Sequence, residues 1–172
     1  QDPDVIMIGE LRDLDTISMA ITAAETGHLV IGTLATSSAP KTVDRIIDAF
    51  PPNEQNQIRA MLAESLRAVI TQRLVPGSDN KRMFLAVEIL IGTLPMVNLI
   101  RDGKTFQIPN MMQTGKKDGM QSMDDSLMTM MQEGSITAAS AHALASKPQL
   151  FKRYLDKETN ALQKETDANE RG

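Results

Sequence analysis

An acidic residue that directly follows an apolar run is the first feature of this sequence that could do chemistry. Glu10 comes after residues 5–9, a short apolar run typical of a β-strand that is buried on both faces. Parallel α/β sheets bind ligands at the carboxyl ends of their strands, where Glu10 is expected to lie. A carboxylate there suits phosphoryl transfer, because it can hold magnesium or its water and orient an attacking water. Taken alone, such an acid is more often a solvated loop carboxylate.

Histidine is the second residue type with possible chemistry, and the chain has two of them. His28 opens another apolar run, residues 28–34, and a histidine at such a place is usually a structural residue. His142 lies in a small helical segment and is expected to be exposed. Two histidines so far apart, in a chain without cysteine, do not make a recognisable zinc site.

A phosphate-binding loop is a third possibility, and the sequence argues against it. Gly103, Lys104 and Thr105 match the end of the pattern G-x-x-x-x-G-K-[ST], but Asn98 stands where its first glycine is required. Such a loop also follows a strand and opens a helix, whereas this segment follows a predicted helix. The sequence therefore contains no complete loop of this kind.

The elements that must position these residues alternate between strands and helices up to about residue 93. Three apolar runs are predicted to be strands: residues 5–9, 28–34 and 84–91. Their alternation with helices is typical of an α/β layer with a largely parallel sheet. The segment from residue 58 to residue 70 carries apolar residues at helical spacing and reads as one long helix. From Leu94 onward the chain reads as helical, with a methionine stripe across residues 120–131 that is expected to form core. Too little chain precedes residue 5 to supply neighbours for a doubly buried strand, so we expect the sequence to begin inside a domain.

Composition narrows the function classes. The chain has 172 residues, of which 41% are hydrophobic and 23% charged, as in ordinary soluble domains. Its formal net charge of −4 gives no electrostatic reason to bind nucleic acid, and no nucleic-acid partner is expected. The absence of cysteine excludes disulfides and fits a reducing cytoplasm.

Longer motifs around Glu10 and His28 resemble the type II/type IV secretion ATPases. Asp2-Pro3-Asp4 followed by residues 9–13 (GELRD) resembles their Walker B element, and residues 24–34 (AETGHLVIGTL) resemble their His box. Residues 98–105 (NLIRDGKT) resemble the AIRNLIRE element of the type IV pilus retraction (PilT-like) ATPases. The chain departs from these patterns at Ala35, where the family has a second histidine, and at Val97, where it has an arginine. The resemblance covers residues 1–151.

The resemblance implies specific roles for single residues. Glu10 would act in catalysis beside Mg²⁺ and the γ-phosphate of ATP, and His28 would sense that phosphate. Arg12 and Thr36 would bind nucleotide together with Glu10. The motor and partner interface would be formed by Asn98, Leu99, Ile100, Arg101 and Asp102.

It also implies a fold and a biological setting. The expected fold is α/β: part of a RecA-like ATPase core over residues 1–93, an all-helical C-terminal subdomain over 94–151, and a charged, disordered tail over 152–172. The function would be that of a homo-hexameric, ATP-hydrolysing motor of pilus retraction at the cytoplasmic face of the bacterial inner membrane. Its partners would be the inner-membrane pilus platform protein and a paralogous retraction ATPase. Without a phosphate-binding loop the chain alone is expected to be inactive.

Other functions remain open at this point. A pilus-assembly or type II secretion ATPase is the alternative within the superfamily, although the four-cysteine zinc element of many assembly ATPases is absent. Ala35 and Val97 are also compatible with a non-catalytic partner subunit of the retraction motor. A nucleic-acid translocase is disfavoured by the acidic charge balance.

Overall fold

The computed structural model describes residues 3–157 and 159, and these divide into two compact units. The first unit takes in the chain up to Thr71 and again Glu88–Gln121, and the second takes in Gln72–Val87 and the chain from Ser122 onward. The regular elements are β1 (Val5–Ile8), α1 (Leu14–Glu25), β2 (Leu29–Gly32), α2 (Ala39–Asp48), α3 (Gln55–Ser65), β3 (Ala68–Pro76), β4 (Met83–Ile91), α4 (Leu94–Arg101), α5 (Ile108–Thr114), α6 (Met123–Gln132) and α7 (Ala138–Leu144), with 3₁₀ turns at Thr105–Gln107, Gly115–Asp118 and Pro148–Leu150.

Strands β1 and β2 form a parallel pair, as the alternation of strands and helices predicted. Val5 lies opposite Leu29 and Ile8 opposite Gly32. The prediction that β1 is buried on both faces is wrong for the described chain, because Val5 is 53% and Met7 75% exposed. Only the alternate residues Ile6 and Ile8 are half-buried, so one face of the pair is covered and the other is open.

Helices α1 and α2 pack the first core with apolar residues at helical spacing. Helix α1 begins after Asp13, whose carboxylate accepts from the Thr16 amide at 2.9 Å and therefore caps the helix. It buries Ile17, Ala20 and Ile21. Helix α2 buries Val43, Ile46 and Ile47. These residues join the apolar sides of α3, α4 and α5 in one cluster.

The segment after α3 is a strand, not the continuation of a helix. Helix α3 ends at Ser65, and β3 starts at Ala68, so the long helix expected across residues 58–70 is wrong in its last turn. Strand β3 pairs with β4. The Gly92 amide donates to Arg67 O and the Gly77 amide to Arg82 O, which fixes an antiparallel hairpin.

The second unit has a core of its own, built on α6 and α7. Met123 and Leu127 of α6 pack there with Val75, Ala86, Ile136, Ala141 and Phe151. The methionine stripe is therefore core, as predicted, but it is divided: Met120 belongs to the cluster of the first unit. Each helix begins at a hydroxyl cap, since Ser122 accepts from the Asp125 amide and Thr137 from the Ser140 amide.

The α/β class is confirmed, and every regular element from Leu94 to Leu150 is helical. The two units do not part at residues 93 and 94, since the chain passes between them within β3, within β4 and after Gln121. The division into a RecA-like core and a helical subdomain stays a prediction. Of the expected tail, residues 152–157 are helical, while residues 158 and 160–172 lie outside the described residues.

Candidate functional site

The carboxyl edge of the β1–β2 pair joins the segment that carries Glu10 to the loop that follows β2. The Leu11 amide donates to Thr33 O at 2.8 Å, and the Thr33 hydroxyl donates to the carbonyl of Gly9. Gly32 lies close to Leu11 at this junction, because a Cβ there would lie 2.9 Å from Leu11 Cδ1 and would require that side chain to shift. The parallel register thus places residues 9–11 and residues 33–36 side by side, where parallel sheets bind ligands.

The side chain of Glu10 is paired with Arg12 at this edge. Arg12 Nη2 lies 2.6 Å from Glu10 Oε2, and the Glu10 side chain is 38% exposed. The hydrogen bond from Arg12 and its positive charge outweigh partial desolvation and lower the pKa of Glu10. Glu10 is therefore a carboxylate at neutral pH. Exposed ion pairs of this kind contribute little stability, so the carboxylate can exchange Arg12 for another partner at little cost.

Thr36 is held at the same edge through helix α2. Its Oγ1 lies 2.7 Å from Thr42 Oγ1, and the hydroxyl of Thr42 also lies 2.9 Å from Ser38 O. The preceding residue, Ala35, is exposed. The structure therefore brings together Glu10, Arg12 and the loop of Thr36, all predicted to bind nucleotide.

His28 does not lie with them. It precedes β2, at the level of Asp4, whose carbonyl accepts from the Leu29 amide at 3.0 Å. The four residues of β2 at about 3.3 Å each separate it by roughly 13 Å from the carboxyl edge. Its Nδ1 lies 3.0 Å from Ala23 O and 3.1 Å from the Thr26 hydroxyl, both at the end of α1. The imidazole thus secures the C-terminal end of α1, and its predicted phosphate-sensing role is not supported by proximity to Glu10 within this chain.

The predicted interface residues lie on and just after α4 in different environments. Ile100 is fully buried and Leu99 half-buried, while Asn98 is exposed. Arg101 is exposed and donates to Glu64 of α3 at 3.2 Å. Asp102 accepts from Lys104 at 3.1 Å. Ile100 belongs to the core of the first unit with Leu99 packed against it, and Arg101 has a partner in its own chain.

A surface groove of about 590 Å³ lies beside these residues, in the first unit. It is lined by Pro95, Leu99, Phe106, Gln107, Asn110, Met111 and Thr114. Phe106 is 74% exposed, which is unusual for so large an apolar side chain. An apolar surface of this kind suits contact with a protein rather than with a phosphate.

The segment from Gly103 to Thr105 does not lie between a strand and a helix, as a phosphate-binding loop does. Gly103 has a φ of +69° and follows α4, a helix and not a strand. The hydroxyl of Thr105 donates to Asp44 Oδ1 of helix α2 at 2.7 Å, so it has a structural partner.

Glu88 is a residue at this site that sequence reasoning missed. It is only 7% exposed, and its Oε1 accepts from the Ala39 amide at 2.6 Å. Ala39 is the first residue of α2, directly after the loop that carries Thr36. The sequence did hold a signal, since Glu88 is the one charged residue in the apolar run of residues 84–91. An acid in such a run needs a partner, but the sequence could not say which.

Similar proteins were found among families, curated proteins and solved structures. A twitching motility protein of Neisseria gonorrhoeae is 50% identical over 145 residues, covering 84% of this chain and 39% of its own length. The type IV pilus retraction ATPase PilT of Pseudomonas aeruginosa is 48% identical over 151 residues, covering 88% and 44%. A crystal structure of the pilus retraction motor PilT with bound ADP superposes with a TM-score of 0.79 at 42% identity, covering 89% of this chain and 43% of that one.

These comparisons identify the family. The chain spans well under half of the length of the curated relatives that it matches. Among residues 3–157 and 159, no helix combines the length and the apolar character that crossing a bilayer requires. Because the family described as type II/IV secretion system protein matches residues 1–95 of the 172, the chain belongs to that family.

Proposed function

We propose that the intact protein is an ATP-hydrolysing motor of type IV pilus retraction, to which this chain contributes the carboxyl edge with Glu10. The supporting observation is that the neighbours of Glu10, Gly9 and Leu11, are hydrogen-bonded to Thr33 at the end of a parallel strand pair. Two relatives that cover more than four fifths of the chain are named a twitching motility protein and a pilus retraction ATPase. A third likeness was solved with ADP, so nucleotide is the ligand to test first.

In this proposal Glu10 orients the attacking water and the water shell of magnesium. Mg²⁺ takes one or two carboxylates and otherwise phosphate oxygens and waters, so one exposed carboxylate fits its donor set. No cluster of three or more histidine, cysteine or acidic side chains occurs within residues 3–157 and 159, so the ion would depend on the nucleotide for further ligands. When bound, it neutralises charge on the phosphates. Arg12 leaves Glu10 and takes phosphate, and the Thr36 loop closes the same edge.

In this proposal another part of the intact protein supplies the phosphate-binding loop. Gly103 to Thr105 does not supply it, since it follows a helix and its threonine bonds to Asp44. Because the sequence holds no complete G-x-x-x-x-G-K-[ST] motif, whose backbone amides would cradle the phosphates, we expect this chain alone to bind ATP weakly. His28 lies far from Glu10 of the same chain. In this proposal it therefore senses the phosphate of a nucleotide bound at another subunit.

The assembly proposed is a homo-hexamer at the cytoplasmic face of the inner membrane. Its contact with the pilus platform protein runs through Asn98 and the groove beside Leu99, whose exposed Phe106 provides apolar area. Leu99, Ile100, Arg101 and Asp102 hold that surface in place. A paralogous retraction ATPase is a further partner of the motor.

The experiment that tests the proposal compares ATP turnover by the intact protein with that of Glu10→Gln. A residue that handles the attacking water contributes about 10²–10⁴-fold, so kcat should fall by at least 100-fold at unchanged oligomeric state. Arg12→Gln keeps the carboxylate and should raise the KM for ATP more than it lowers kcat. Glu25→Gln, at an exposed acid at the end of α1, is the matched control and should be neutral.

Two results would contradict the proposal. An intact protein that hexamerises but does not hydrolyse ATP would instead be a non-catalytic subunit. A deletion strain that lacks surface pili would indicate an assembly motor, because losing a retraction motor leaves pili extended and abolishes twitching.

A further inference from the structure

Glu88 joins β4 to the start of helix α2 through one buried contact. Its carboxylate lies 2.6 Å from the Ala39 amide, although 49 residues separate the two in sequence. Glu88 is 7% exposed, and Ala39 is fully buried. A buried carboxylate is costly unless it is hydrogen-bonded, so this contact needs a specific reason to exist.

The reason lies in how helix α2 begins. The first amides of a helix lack partners within the helix, and its N-terminus favours negative charge. Ser38 occupies the N-cap position, but its side chain makes no capping hydrogen bond. The Glu88 carboxylate therefore takes the place of a local cap, from a strand that is remote in sequence.

A neighbouring position supplies a contrast. The hairpin register that pairs Arg67 with Gly92 and Gly77 with Arg82 places Thr71 opposite Glu88. Thr71 is also buried, but its hydroxyl has no hydrogen-bond partner among the residues that the structure describes. Of these two buried polar side chains on the hairpin, Glu88 is thus the one that holds α2.

The start of α2 in turn fixes the loop at the candidate site. Thr42, in the first turn of α2, donates through its amide to Ser38 O at 3.0 Å, and its hydroxyl lies 2.7 Å from that of Thr36. At its other end the loop is tied to Gly9 through Thr33. A displacement of Ala39 would therefore move the loop of residues 33–38, which is hydrogen-bonded to Gly9 and Leu11.

We propose that Glu88 is a positioning residue for ATP hydrolysis, which acts by anchoring the start of α2 and with it the loop of residues 33–38. This inference rests on the proposed function. Glu88 itself makes no contact with the nucleotide. For this role the length of the Glu88 side chain, which brings its acceptor oxygen to the Ala39 amide, is more important than its negative charge.

The test uses the intact protein and separates the effect of the length of the Glu88 side chain from the effect of its charge. Glu88→Gln keeps an acceptor at the same distance and should retain kcat within about threefold, since only the charge assistance of one bond is lost. Glu88→Asp keeps the charge but shortens the side chain by one methylene, and Glu88→Leu removes the acceptor. Both should lower kcat about 10- to 100-fold, as expected for a misplacement of about 1 Å, with a smaller change in the KM for ATP. Thr71→Val removes the unpartnered hydroxyl and is the matched control.

Hydrogen–deuterium exchange gives a readout that does not depend on catalysis. Residues 36–42 should exchange faster in Glu88→Asp and Glu88→Leu than in Glu88→Gln or Thr71→Val, while α1 stays unchanged. Equal exchange in all four variants would overturn the proposal, as would wild-type kcat in folded Glu88→Asp. If the wild-type protein hydrolyses no ATP, the proposed function fails, and faster exchange in the Asp variant still establishes the anchor.

Discussion

Gly92 lies where β4 ends against the start of β3, and replacing it with alanine tests the hairpin geometry directly. A Cβ at Gly92 would lie 2.7 Å from Leu66 O and 2.9 Å from Arg67 O. The shorter distance is 0.7 Å inside the 3.4 Å at which ordinary contact begins (3.4 − 2.7). Both oxygens belong to the backbone, so no side-chain rotation can relieve the overlap.

The cost follows from what must move. The Gly92 amide donates to Arg67 O at 2.7 Å, so separating the strands to admit a methyl group weakens this bond. A weakened hydrogen bond costs about 0.5–1.5 kcal/mol. Overpacking adds about 1–3 kcal/mol. The free energy of unfolding should therefore fall by about 2–4 kcal/mol, which corresponds to roughly 5–15 °C in Tm for a chain of this size.

Urea and thermal unfolding of the purified protein, followed by circular dichroism, would measure this loss. Gly9→Ala is the matched control, because no atom lies within 4 Å of a Cβ built there. It should change the free energy of unfolding by no more than about 1 kcal/mol. The change can be an increase, because alanine reduces the conformational freedom of the unfolded backbone. Equal midpoints for Gly92→Ala and Gly9→Ala would refute the steric argument.

Two further predictions concern helix caps. Hydrogen bonds from Thr16 lower the pKa of Asp13, so its stabilisation is complete above the ordinary aspartate pKa near 4 and is lost as the pH falls through the lowered value. Asp13→Asn keeps the cap but does not titrate, so its loss of Tm between pH 7 and pH 3 should be smaller than in the wild type; an equal loss would contradict this. Ser122→Ala removes the oxygen that accepts from the Asp125 amide at 3.1 Å and should cost about 0.5–2 kcal/mol in urea unfolding. Ser122→Asn can still cap and should recover most of that loss, and an alanine variant as stable as the wild type would show that the cap is not needed.

The sequence predicted β1, β2 and β4 well because each is a compact apolar run, but it missed β3. Val69 and Ile70 continue the helical spacing of α3 by coincidence, which extended that helix in the prediction. The alternation that marks β3 was obscured because Thr71, a buried residue, is polar. Only pairing with β4, a contact distant in sequence, separates these interpretations.

The candidate site was predicted in part for a similar reason. Glu10 follows β1 and Thr36 follows β2, so a parallel register brings both to one edge. His28 precedes β2, so the same register places it at the amino end of the strand pair, opposite Glu10. Motif resemblance places residues in one family pattern but does not say at which end of a strand they lie. Glu88 was missed because its partner, the amide of Ala39, carries no side-chain signal in the sequence.

Helix α2 has a mechanical consequence for how the loop and the α4 region behave together. Glu88 holds its first residue, and Asp44 near its middle accepts from Thr105, just after α4. Ala39 and Asp44 are five residues apart, or about 7.5 Å of helix. A helix segment this short is stiff and packed cores transmit strain, so we expect a shift of the loop by a fraction of an ångström to reach Thr105. We therefore expect the loop before α2 and the segment at Thr105 to move together.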